Sequence, residues 1–175
     1  HWRDGVVFPG PRVAVMRAGL LPSAMLCGAL ALALGFVPTR IWGIAVAALL
    51  FGCAAALLLP VSPDHADAIF LGCWVSTVVL AGCVHLPRGM NRATALVLGL
   101  NAGVWACLVA RVGGGASNLL IALPLVLLCV PARWLVLTGR GIALKVAASW
   151  LLAIGVMEMV LMLTPTPGYK PDHME

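Results

Sequence analysis

Few side chains in this sequence could do chemistry, and Glu158 stands in the least expected setting. It lies in Met157-Glu158-Met159, inside the apolar run 142–163. With six residues left to the helix end, the carboxylate is about 9 Å from that end at 1.5 Å per residue. A carboxylate in a membrane helix costs about 2.5–3.5 kcal/mol on insertion scales and by default marks a functional site. Two readings follow. Glu158 either pairs with an arginine at the same face (Arg111 after the fourth apolar run, Arg17 early in the first) or snorkels outward; alternatively it binds a proton or a substrate. The structural pairing is preferred.

The second polar group is Asn101, framed in Gly99-Leu100-Asn101-Ala102-Gly103. Small residues spaced by four let two helix backbones approach closely, and a buried amide can hydrogen-bond across the contact for about 0.6 kcal/mol on average. Gly99 and Gly103 are therefore expected at a helix-packing face, within the bundle or against a partner.

Two segments repeat the pattern P-D-H-x-acid: Asp64-His65-Ala66-Asp67 after Pro63, and Asp172-His173-Met174-Glu175 after Pro171. Imidazole and carboxylate ligands from two loops would suit a divalent metal ion. The competing and preferred reading makes Ser62 an N-cap, Pro63 a first-turn proline and Asp64 a dipole-favoured acid at a helix start. No cofactor is expected. His65 and His85 bracket one run about 30 Å apart by helix rise, and no run carries two histidines, which argues against haem. The hydrolase, zinc-protease, P-loop and dinucleotide signatures are absent. Gly113-Gly114-Gly115 reads as a turn.

Position for these groups must come from apolar elements. Of 175 residues, 62% are hydrophobic and 10% charged, with mean hydropathy +1.07. Soluble domains carry about 25% charge, so a water-soluble globule and a disordered chain are both excluded. Six runs, 14–37, 41–61, 66–86, 93–112, 118–137 and 142–163, each reach the ~20 residues needed to cross a bilayer as helix. Continuous apolarity and the need to satisfy every backbone group in lipid favour helices over strands. The expected fold is all-α: a segment 1–13, one six-helix transmembrane domain over 14–164, and a tail 165–175. The fifth run is the least regular, since Pro131, Arg133 and Trp134 stand where it should continue. The chain starts at His1 rather than Met, which reads as a fragment or processed product, and 1–13 holds no intact signal peptide.

The connections carry a pattern. Pro38-Thr39-Arg40, Pro87-Arg88 and Pro131-Ala132-Arg133 recur at the ends of the odd-numbered runs. This predicts three antiparallel hairpins whose tips share one face, with Arg40, Arg88, Arg92, Arg133, Arg140 and Lys145 on it. Asp64, Asp67, Asp172 and Glu175 gather on the other face, with Arg12, Arg17 and Arg111. Lys and Arg counts in the loops favour a cytoplasmic arginine face and both termini outside, in a bacterial inner membrane. Basic residues stand singly at run ends, which is headgroup anchoring rather than a nucleic-acid track. The six cysteines all lie in apolar runs and are expected to pack as small hydrophobes.

Asn101, Ser76, Thr77, Ser149 and one off-centre acid are thin provision for moving a polar solute, which needs a polar midplane. The sequence therefore points to a non-catalytic membrane subunit that packs or positions a larger assembly of membrane chains or copies of itself. The alternative is a small-solute or proton-coupled transporter or channel using Glu158 and Asn101.

Overall fold

The computed structural model describes residues 11–86, 90–113 and 116–164, with side chains from residue 19 onward apart from those at 63 and 116. Those residues form helices and turns, with no strand among them. In order they are α1 (Pro11–Gly35), α2 (Thr39–Leu58), a 3₁₀ turn (Pro63–His65), α3 (Ala66–Cys83), α4 (Arg92–Val112), α5 (Ala116–Ala122), a 3₁₀ segment (Leu123–Leu128), α6 (Cys129–Leu137) and α7 (Gly141–Leu163). Among the described residues, five helical stretches are long and apolar enough to cross a membrane: α2, α3, α4, the joined stretch Ser117–Leu137, and α7. The fully described part of α1, Gly19–Gly35, is apolar but shorter.

α1 is the central post. It packs on α3, α4, the whole α5–α6 stretch and the start of α7. Its face there is built of Leu26, Cys27, Leu30, Ala31 and Leu34, all completely buried. Consecutive helices are not always the packing partners. α1 and α2 meet at their turn, where the Trp42 indole Nε1 donates to the Leu34 carbonyl at 2.9 Å. Beyond that turn α2 leaves α1 and lies along α4, its main neighbour, while α7 lies along α3.

The helix ends obey local chemistry. Asn91 caps α4, its Oδ1 accepting from the Thr94 backbone N–H at 2.8 Å. Between α6 and α7, Gly139 takes φ +77°. The Gly139 and Arg140 N–H groups return to the Val136 and Leu135 carbonyls at 3.1 and 2.8 Å. That is a Schellman closure, which needs a left-handed residue and hence favours glycine.

The fifth run is irregular, but not where its second proline and Arg133 had marked it. The helix tightens to 3₁₀ at Leu123–Leu128, and α6 then runs through Pro131 and Arg133 to Leu137. Pro124 and Pro131 fall at the second and third positions of their segments, and the helical stretch continues through both. Pro22, inside α1, is followed by Ser23, whose hydroxyl donates to the Gly19 and Leu20 carbonyls at 2.8 and 3.1 Å.

Candidate functional site

The closest helix contact involves the glycines of the fourth run. A Cβ placed on Gly99 would strike the Ala45 carbonyl oxygen of α2, and one on Gly103 would strike the Leu49 carbonyl oxygen. The reverse also holds, because a Cβ on Gly52 of α2 would strike the Leu100 carbonyl oxygen of α4. Backbone thus rests on backbone from both sides, and the Cys53 thiol donates to the Gly103 carbonyl at 3.3 Å. Gly99 and Gly103 were visible in the sequence as a pair. Their counterpart, Gly52 with Ala45 and Leu49, was not, since it lies some fifty residues away with no glycine spacing of its own.

Asn101 lies between those glycines in sequence but on another side of α4. Its Oδ1 accepts from the Trp105 indole Nε1 at 3.0 Å, one turn along the same helix. The Trp105 ring in turn covers Gly72 of α3, where a Cβ would collide with it. Asn101 and Trp105, with Gly72, Val75, Ser76 and Val79 of α3, line an open groove of about 530 Å³ between α3 and α4.

Arg111, at the last turn of α4, is committed to backbone. Its Nη1 donates to the carbonyl oxygens of Ala56 and Leu59, both at 2.8 Å, at the C-terminal end of α2. Helix α2 ends at Leu59-Pro60, where the Leu59 N–H returns to the Ala56 carbonyl at 3.3 Å. Arg111 adds a second donor there and takes the Leu59 carbonyl, and a cation at a helix C-terminus also meets the negative end of the dipole. The expected pairing of Arg111 with Glu158 therefore gives way to this contact. Glu158 is half buried, three residues beyond Gly155, on the α7 stripe of Leu144, Ala148 and Gly155. Gly155 faces Val78 and Trp74 of α3. Glu158 forms no hydrogen bond or ion pair with another described residue. The backbone of Arg17 lies in α1, and its side chain is outside the described set.

Asp64 and His65 belong to the exposed 3₁₀ turn that leads into α3, and Asp67 to the first turn of α3. The Ser62 hydroxyl accepts from the Asp64 N–H at 3.4 Å and donates to its carboxylate at 3.0 Å, as an N-terminal cap should. Among the described residues, no three His, Cys, Asp or Glu side chains gather as a metal site. Asp172, His173, Glu175 and Arg88 lie outside the described residues. At the other end of the bundle, Arg40, Arg92, Arg140 and Lys145 are exposed and Arg133 is half buried. There His85 Nε2 and the Ser149 hydroxyl of α7 stand 3.4 Å apart.

The polar groups are thus distributed rather than convergent. Asn101 opens on the α3–α4 groove, Arg111 closes α2, and Glu158 sits on α7, which packs on α3 and not along α4. Between them the centre is filled by Leu, Ala and Cys, including Cys27, Cys73 and Cys107 with no exposed surface. Five long apolar helices in an all-helical bundle are the make-up of an integral membrane protein. No protein-family model matches the chain, and no similar curated protein or solved structure was found.

Proposed function

We propose that this protein is a non-catalytic subunit of a bacterial inner membrane, which packs or positions a larger assembly of membrane chains or further copies of itself. The observation that carries the reading is the separation of Asn101, Arg111 and Glu158 onto different helix contacts. A solute path would need them at one midplane site. The outer sides of α5–α6 and α7, with Leu120, Leu127, Trp134, Ile142, Trp150 and Leu163 exposed, are the faces available to lipid and to neighbouring chains. In this reading α1 also crosses, giving six spans in three hairpins, with the arginine face cytoplasmic and both termini outside. No cofactor enters it. Purification in mild detergent tests the assignment: partner chains or a defined homo-oligomer are expected, and a stable lone monomer overturns it.

A second reading, a small-solute or proton-coupled transporter, draws on one observation. Glu158 is half buried on the inner stripe of α7 without a described partner, as a proton-binding carboxylate would be. Proton flux in proteoliposomes that disappears in Glu158→Ala would establish it, and absence of flux in the unaltered protein removes it.

A further inference from the structure

The α3–α4 groove carries polar groups at mid-membrane depth, Asn101 on one wall and Ser76 on the other. Asn101 stands within Arg92–Val112 so that about 14 Å of helix precedes it and about 17 Å follows. Lipid ester carbonyls and water begin at the edge of the ~30 Å hydrocarbon core, about 15 Å away. The amide is oriented by the Trp105 indole, which occupies Oδ1 and turns the –NH₂ to the remaining side. Those two N–H donors bond no other described residue. Ser76, on the opposing wall and only 5% exposed, adds a hydroxyl at a similar position along α3. Unsatisfied donors in hydrocarbon are costly, so the groove is matched to an acceptor that can itself reach mid-bilayer.

A volume of about 530 Å³ lies in the range of small-molecule sites, which are concave and mostly apolar with a few fixed polar groups. Trp105 adds an aromatic wall against which a flat ring can stack in an offset arrangement. A phospholipid head cannot bring its carbonyls to this depth, and an acyl chain carries no acceptor there. From this we infer that the groove binds a membrane-dissolved, uncharged ring carbonyl compound of quinone type, with its carbonyl on Asn101 Nδ2, its ring beside Trp105 and its apolar tail along Val75 and Val79. The inference is independent of the subunit reading.

The test uses the full chain in lipid nanodiscs titrated with decylubiquinone, following quenching of tryptophan fluorescence. Saturable quenching is expected. In Asn101→Leu the dissociation constant should rise about tenfold, the scale of one strong hydrogen bond in a membrane. Val79→Phe, at an exposed position on the groove wall, narrows the groove and should weaken binding similarly. Quenching that only rises linearly with quinone, or saturation equal in all three proteins, overturns the site. So does quenching by brominated acyl chains that quinone does not relieve, which would make a lipid tail the occupant. Efficient disulfide cross-linking of Val79→Cys between two copies would assign the groove to self-association instead and overturn it too.

Discussion

The Arg111 side chain of α4 donates Nη1 to the Ala56 carbonyl oxygen of α2 at 2.8 Å, and the same nitrogen reaches Leu59. Two helices that already lie backbone to backbone through Gly52, Gly99 and Gly103 are thereby tied at one end by a charge. Hydrogen bonds to charged groups contribute about 1.5–3 kcal/mol, less where water reaches them. Arg111 is exposed, so Arg111→Met should lower thermal stability in detergent by about 1 kcal/mol, with Arg111→Lys recovering part of it. An unchanged melting point in Arg111→Met would contradict the closure.

The α2–α4 contact predicts opposite signs for glycine substitutions. Gly103→Ala places a methyl against the Leu49 carbonyl and should destabilise by about 1–3 kcal/mol, as overpacking does. Gly43→Ala, on the exposed side of α2 with open space around it, should stabilise by about 0.4–1 kcal/mol. Denaturation of both variants in the same detergent provides the comparison.

Gly139 at φ +77° sets the turn from α6 to α7. Gly139→Ala should cost about 1–2 kcal/mol from left-handed strain alone. Because that residue has no neighbour within 4 Å, the loss should be similar for Gly139→Ser and smaller for Gly139→Asn. Equal stability of all three with the parent protein would refute the turn.

Thiol labelling reads the packing directly. Cys27 and Cys73 have no exposed surface, whereas Cys83 at the end of α3 is only partly covered. A maleimide added to the folded protein in detergent should modify Cys83 well before Cys27 or Cys73, with mass spectrometry locating the adduct. Early modification of Cys27 would mean that α1 is not the central post.

Glu158→Gln tests whether assembly needs the charge on α7. The subunit reading expects assembly to survive, since the amide keeps the volume and loses only a charge that no described residue pairs. Loss of co-purifying chains in this variant, with the fold intact by circular dichroism, would place the carboxylate at an interface.

The chain's own order of residues settled the chemical class. Sixty-two per cent hydrophobic content in 175 residues leaves lipid as the solvent, and lipid forces helices because no water is present to bond the backbone. Local signals were equally legible: Ser62 ahead of the turn into α3, and the close-contact pair Gly99 and Gly103. These depend on neighbours a few residues apart. Which helix would face those glycines depended on α2 crossing to α4 instead of returning along α1. Whether Arg111 would meet a carboxylate or a helix end depended on the same placement. Apolar runs of similar length are interchangeable by hydrophobicity, so partner choice rests on where glycine admits a backbone. Only the assembled bundle brings Gly52 opposite Leu100, and Ala56 within reach of a guanidinium fifty-five positions further along.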